Sequence, residues 1–305
     1  MSSGEPHYIV NGTTYIAGGQ DNNCTVSICP VDLSVYGYRP SLPLSGVIIA
    51  LYIISIIVQA FLGWRYKTWG FMTIMILGAI DEIIGYIGRI LLYNNPFARP
   101  GFLIQIVLIT IGPVFFSAAI YVTLFQIVNY ISVKHSRFTP SIFYWAFVSC
   151  DLVSLILQAI GGAKSASANG PSSAGVNIAL AGLSFQVATL TIFIILTVDY
   201  FIRSRAVWMA ARIPARFTIF VSFLSAATLL ILARCCYRVY ELNDGYSRTS
   251  AALRDQPLFI GLETVPVIVA TFCLIVAHPG PVFKGDQKHL TNHEKDVRGS
   301  ECSAA

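Results

Sequence analysis

Residues 44–63 read Leu44-Ser-Gly-Val47-Ile-Ile-Ala-Leu51-Tyr-Ile-Ile-Ser55-Ile-Ile-Val-Gln59-Ala-Phe-Leu-Gly63, with no charge over the whole stretch. A helix crosses the hydrocarbon core of a bilayer with about 20 such residues. The run Val47-Ile48-Ile49-Ala50-Leu51 does not alternate polar with apolar, as the strand of a membrane barrel would. Lipid offers no partner to an unpaired backbone group, so the segment must be a helix. Six more segments meet the same test, near 71–93, 102–131, 140–162, 175–200, 216–237 and 257–278. The third carries Pro113 in its interior, where a kink is expected. The composition agrees: 55% of the 305 residues are hydrophobic and 11% are charged, against about 25% charged in a soluble domain. This excludes a disordered chain, a nucleic-acid binder and an ordinary cytosolic enzyme. The expected fold class is all-α, a seven-transmembrane helical bundle.

The basic residues between spans orient it. Arg65, Lys67, Lys134, Arg137, Arg203, Arg205, Arg212, Arg216, Lys284, Lys288, Lys295 and Arg298 fall on one side. Arg39, Arg99, Lys164, Arg238, Arg248 and Arg254 fall on the other. The richer side is expected in the cytoplasm, which puts the N-terminus outside and the C-terminus inside. Residues 1–42 are then an extracellular tail, 43–279 the membrane domain and 280–305 a cytoplasmic tail without fixed structure. The N-terminal tail holds two glycosylation sequons, at Asn11 and Asn23, and the pair Cys24 and Cys29. An oxidising compartment would allow a disulfide between those two; the alternative is two unrelated free thiols. The remaining cysteines have no metal-ligand spacing and read as small apolar fillers. No charged n-region with an h-region opens the chain, so span one is expected to serve as the insertion signal. The ending Cys302-Ser-Ala-Ala fits a prenylation box only formally, since Ser303 is a poor aliphatic position.

Charges at membrane depth are costly and usually functional. In span two, steps of 4, 3 and 4 join Gly78, Glu82, Gly85 and Arg89 on one helix face, beside Asp81. In span four, Asp151, Ser154, Gln158 and Gly161 follow steps of 3, 4 and 3. Gly182, Gln186 and Thr189 share a face of span five, and Arg234, Arg238 and Glu241 a face of span six. Gln105 and Glu263 lie in the outer parts of spans three and seven. The spacing points to one polar hollow open to the exterior. Asp81, Glu82, Asp151 and Gln186 would form its floor, and Arg89, Arg234, Arg238, Glu241 and Glu263 its mouth. The alternative is polar glue, with the glycines serving close helix packing. For the acids and arginines together a site is the stronger reading, because neutral residues would pack at less desolvation cost.

No phosphate loop, no Gly-x-Ser-x-Gly elbow and no intramembrane histidine cluster occurs in the sequence. An enzyme is therefore not expected, nor a metal, a cofactor or a nucleic-acid partner. The expected partners are membrane lipids or an amphipathic small molecule.

Several stretches taken in order resemble the fungal lipid-translocating exporters, the RTA-like seven-helix proteins associated with aminocholesterol resistance. They are Tyr36-Gly-Tyr38-Arg-Pro40-Ser41-Leu42, Glu82-Ile-Ile-Gly85-Tyr86-Ile-Gly88-Arg89, Ala118-Ala119-Ile-Tyr121, Asp151 to Gln158-Ala-Ile-Gly161-Gly162, Gly182-Leu-Ser-Phe-Gln186, Tyr237-Arg238-Val-Tyr-Glu241 with Gly245, and His278-Pro279-Gly280. The likeness covers residues 36 to 281. Where the family shows Glu, Tyr and Asp entering the last helix, this chain has Asp255, Phe259 and Glu263. The resemblance implies a protein of the plasma membrane or an endomembrane, with a role in sphingoid-base release, sterol-analogue or drug tolerance, or porphyrin uptake. Two functions follow as expectations. One is a translocator of amphipathic lipid-like molecules, in which Glu82 or Asp151 pairs with an ammonium; it is either proton-coupled or a passive scrambler. The other is a heptahelical receptor or sensor, or an indirect regulator of lipid asymmetry. Against the receptor, span three ends Asn129-Tyr130-Ile131 with no acid–arginine switch.

Overall fold

The computed structural model describes residues 7–10, 13–16, 23–131, 140–167, 173–204, 215–243 and 254–284. A short antiparallel hairpin, β1 (His7–Val10) and β2 (Thr13–Ile16), precedes seven long helices. These are α1 (Leu42–Tyr66), α2 (Trp69–Asn94), α3 (Arg99–Ile131), α4 (Pro140–Ser167), α5 (Ser173–Arg203), α6 (Ala215–Asn243) and α7. The last is composite: a turn Gln256–Phe259, a π-helical turn Ile260–Thr264 and an α-helix Val265–Val276. All seven are long and apolar enough to cross a membrane. The first six expected spans fall within α1–α6, and the seventh, 257–278, runs two residues past the end of α7 at Val276. Sequon Asn11, basic residues Lys134, Arg137, Arg205, Arg212, Lys288, Lys295, Arg298 and Arg248, and the tail beyond 284 with Cys302 lie outside the described residues.

The helices pack as a ring, each on its chain neighbours, with α7 closing on α1 and α6. Helix α3 also touches α6 and α7, and 61% of its span is buried against 28–50% for the others, so it is the central helix. The outward faces are apolar and the polar residues turn inward. Helix α1 buries Ile48, Tyr52, Ser55 and Gln59, at steps of 4, 3 and 4, and exposes Ile53, Ile57 and Phe61. Hydrogen-bonding groups thus face the bundle and hydrocarbon faces lipid. Glycines permit the close approaches. A Cβ at Gly88 would meet the Gln105 amide nitrogen at 2.8 Å across the α2–α3 contact. One at Gly182 would meet the Ser154 carbonyl at 2.9 Å across α4–α5. Small residues at such contacts let backbones pack where no hydrophobic drive exists.

One end of the bundle carries Trp64, Trp69 and Trp145, all exposed, beside Arg65 and Lys67. Tryptophan favours the headgroup level, so this end marks an interface. His278 ties it together. Its Nδ1 accepts the Gly280 N–H at 3.0 Å, leaving Nε2 to donate to Thr68 Oγ1 at 3.3 Å. The α1–α2 turn is thereby fixed to the end of α7.

At the opposite end the N-terminal segment lies on the bundle. Cys24 and Cys29 are joined by a disulfide that packs against Phe97. Asn23 is exposed, with its Oδ1 accepting the Ile16 N–H at 2.7 Å. The strap from Val35 to Arg39 then crosses toward α1. Gly37 sits at φ 68° directly under the Arg254 guanidinium, where a Cβ would come within 2.6 Å of Cζ. Both the backbone angle and the space call for glycine.

Candidate functional site

Two proline irregularities prepare the site. Pro113 lies inside the continuous helix α3 and has no N–H to give to the carbonyl four residues earlier, that of Ile109. Arg234 of α6 takes that place, its Nη2 donating to the Ile109 carbonyl at 2.7 Å. Pro266 does the same to the start of α7. The helix there adopts a π-helical turn, with the Val265 N–H bonded to the Ile260 carbonyl. Such turns recur at functional sites. This one carries Glu263 inward, where its Oε1 accepts from Arg234 Nη2 at 2.6 Å. Neither side chain is exposed to solvent.

The cluster grows from this pair. One turn outward, Arg238 Nη1 donates to Glu241 Oε2 at 2.5 Å and Nη2 donates to Thr110 Oγ1 at 2.9 Å. Arg238 Nε stands 3.8 Å from Glu263, so the two pairs touch. Deeper lies Glu82, 1% exposed and packed against Gly112 of α3; a Cβ at 112 would stand 2.5 Å from its Oε1. Tyr52 and Tyr86 stack near it with ring centres 6.4 Å apart, and Tyr86 donates to Thr264 Oγ1 at 2.8 Å. Outermost is Arg89, fully buried, with the Phe259 ring centre 4.1 Å from its Cζ and its Nη2 donating to the Tyr38 hydroxyl at 3.2 Å. The strap closes over this end: Gln105 Nε2 donates to the Tyr36 hydroxyl at 3.1 Å. Burial pushes both strap tyrosines above their ordinary pKa, so both hydroxyls stay neutral.

Several atoms of this cluster have no hydrogen-bond partner among the described residues. They are Glu82 Oε1, Glu263 Oε2, Arg234 Nε and Nη1, and Arg89 Nε and Nη1. Buried polar groups are nearly always paired, so these orphans call for an explanation; Gln59 of α1 and Asp151, Gln158 and Gln186 of a second cluster also carry unpartnered atoms.

A second cluster lies across α3, between α3, α4 and α5. Tyr121 donates to Asp151 Oδ2 at 3.0 Å. Gln158 Nε2 reaches both Ser154 Oγ at 2.8 Å and Gln186 Oε1 at 3.0 Å, and Ser154 donates to the Gly182 carbonyl at 2.7 Å. Tyr121, Phe147 and Phe193 form an aromatic wall beneath, with centres 4.6–5.7 Å apart.

These positions correct the expectation of a single hollow. Glu82, Arg89, Arg234, Arg238, Glu241 and Glu263 come together, but Asp151, Gln158 and Gln186 form a separate network. Asp81 joins neither by a hydrogen bond. It is half-buried, one residue and so about 100° round the helix from Glu82, and does not share its face. Arg234 and Glu263 form no open mouth; they are sealed as an ion pair, and the strap tyrosines cap the cluster above them. The sequence reading named Tyr36, Tyr38 and Phe259 only as part of the family resemblance, not as site residues, and did not name Thr110 or Gly112. A signal existed for one contact: a proline inside a span orphans a carbonyl, and a buried arginine is the kind of donor that fills it.

Seven apolar helices with their charges turned inward define a multi-pass membrane protein. The chain belongs to the RTA1 like protein family, whose sequence model matches residues 75–286. The match starts within α2 and takes in both clusters; α1 and the strap lie before it. The chain is similar to a protein named sphingoid long-chain base transporter RSB1 from Saccharomyces cerevisiae. The two are 28% identical over 281 residues, which covers 79% of this chain and 70% of that one. It is also similar to a protein named lipid-translocating exporter-like protein RTA1 from Leptosphaeria maculans, 26% identical over 313 residues, covering 94% of this chain and 59% of that one. Protein RTM1 of Saccharomyces cerevisiae is 28% identical over 208 residues, covering 66% and 65%. No solved structure matches significantly.

Proposed function

We propose that this protein translocates amphipathic lipid-like molecules that carry an ammonium, and that Glu82 receives that ammonium within the bundle. The carrying observation is the state of Glu82. Its carboxylate is fully buried with Oε1 unpartnered, while Glu241 and Glu263 are engaged by arginines. An uncompensated carboxylate in hydrocarbon costs several kcal/mol, so its retention favours a cationic ligand. Glu263 Oε2 and the unused Arg234 donors complement hydroxyls beside an ammonium. The relative named a sphingoid long-chain base transporter supports that substrate class, since such a base pairs an amine and hydroxyls with a long chain. The hydrocarbon chain would lie among the apolar helix faces. This is transport or scrambling and not catalysis, with no cofactor assigned.

The test is flux of a labelled long-chain amine in vesicles containing only this protein. The reading expects flux above that of protein-free vesicles. Ligand binding without flux would instead favour a receptor.

The orientation belongs to the same reading: strap and disulfide on the exterior of a plasma or endomembrane, basic end in the cytoplasm. The exposed Asn23 and the Cys24–Cys29 disulfide support it. Glycosidase treatment of protein from a eukaryotic host is expected to remove mass, with Asn11→Gln and Asn23→Gln together abolishing the shift. Cytoplasmic accessibility of the strap to a membrane-impermeant label would reverse the assignment.

A further inference from the structure

Arg89 differs from the other two buried arginines. Arg234 and Arg238 each hold a carboxylate, whereas Arg89 has no ion-pair partner among the described residues. Its environment is specific all the same. The Phe259 ring covers it 4.1 Å from Cζ, and the Tyr38 ring stands at 6.0 Å. Stacking of this kind holds a guanidinium by its faces. The N–H donors of a guanidinium lie in its plane, where carboxylates and phosphates are bound. Here one of those donors is spent on the Tyr38 hydroxyl, and Nε and Nη1 are left without a partner. Arg234 leaves the same two nitrogens unpartnered, but it holds a carboxylate, and Arg89 holds none among the described residues; each buried orphan donor costs free energy.

The charges are also layered. The outer layer holds Arg89 and Arg238 against Glu241, and the inner layer holds Glu82 and Glu263 against Arg234. Counted with every carboxyl ionised, the outer layer has one net positive charge and the inner layer one net negative. Glu82 and Arg89 lie two helical turns apart on one face of α2, about 10 Å along the axis.

We propose that the unpartnered edge of Arg89 is the binding site for an anionic group on a lipid headgroup, a phosphate monoester first of all. The translocated molecule then carries phosphate at its outer end and ammonium nearer its chain. The ammonium half rests on the reading of Glu82 given above; the phosphate half does not.

The two halves separate in binding measurements on the full-length protein in neutral-lipid nanodiscs, with thermal protection and competition as readouts. The probes are an alkyl monophosphate lacking an amine, the unphosphorylated long-chain amine, its phosphate ester, and inorganic phosphate. The alkyl monophosphate is expected to protect the wild type and not Arg89→Gln, with Arg89→Lys between them. The phosphorylated amine is expected to bind the wild type about tenfold or more tightly than the free amine, the ratio corresponding to one charge-assisted contact. Glu82→Gln should weaken the free amine and keep the alkyl monophosphate response. That response surviving while the amine fails to bind would remove the ammonium reading and leave the anion site standing. Three results would overturn the anion site: no protection of the wild type by the alkyl monophosphate, equal protection of Arg89→Gln, or equal protection by inorganic phosphate. Should Arg89→Gln not fold, the wild-type ratio of phosphorylated to free amine decides alone, and a ratio near one rejects the proposal.

Discussion

Arg234→Met is expected to destabilise the bundle by about 3–5 kcal/mol, the cost of leaving one partner of a buried pair behind. The change removes the donor to Glu263 and exposes the defect created by Pro113, because the Ile109 carbonyl loses its partner. Arg238, 3.8 Å from Glu263, is too far to replace the lost bond. Methionine fills most of the volume with a flexible apolar chain, so the loss reports electrostatics more than packing. The paired change Arg234→Met with Glu263→Leu should recover much of it, since well-packed apolar residues often replace a buried ion pair without penalty. Recovery should be incomplete by about 1–3 kcal/mol, the cost of the orphaned Ile109 carbonyl. Unfolding of the three variants in one detergent measures this. A single variant as stable as the wild type, or a double variant no better than the single, would show that the pair does not hold α6, α3 and α7 together.

The spans could be read from sequence because bilayer thickness and apolar length are one-dimensional quantities. The face of α2 was readable for the same kind of reason. Gly78, Glu82, Gly85 and Arg89 sit at steps that a helix cannot separate, and all four are buried. Partner choice was not readable. Arg234 meets Glu263 and the Ile109 carbonyl across three helices, and such contacts depend on how each helix is rotated about its axis, which one sequence does not specify. Glu82 and Asp151 meet α3 at different residues, Gly112 and Tyr121, nine residues and so about 13 Å apart along its axis. Asp81 was misplaced by its proximity in sequence, which on a helix guarantees a different face. The strap was the largest omission. Tyr36 and Tyr38 carry part of the family resemblance, but only tertiary contact turns them into the cap over Arg89 and Gln105. The π-helical turn before Pro266, which swings Glu263 into the cluster, was likewise not read from the sequence.

Glu82→Gln carries the second large effect. The amide matches the carboxylate in shape, so contact with Gly112 survives. Burying a neutral amide costs less than burying a charge, so the variant should be at least as stable as the wild type. What it loses, on the proposed function, is the ion pair with a bound ammonium. A hydrogen bond to a charged group contributes about 1.5–3 kcal/mol, which corresponds to about 10- to 150-fold in affinity. Glu82→Asp keeps the charge but withdraws it by one methylene, and should fall between the two. Stability and transport then move in opposite directions, a pattern expected of a residue kept for function at the expense of the fold.

The direct measurement is flux of a labelled long-chain amine through vesicles containing equal amounts of folded wild-type or Glu82→Gln protein. Flux from the wild type, and flux reduced at least about tenfold in a variant of equal or greater thermal stability, is the predicted result. Equal flux from both proteins would contradict the assignment of the buried Glu82 carboxylate as the seat of the cationic headgroup.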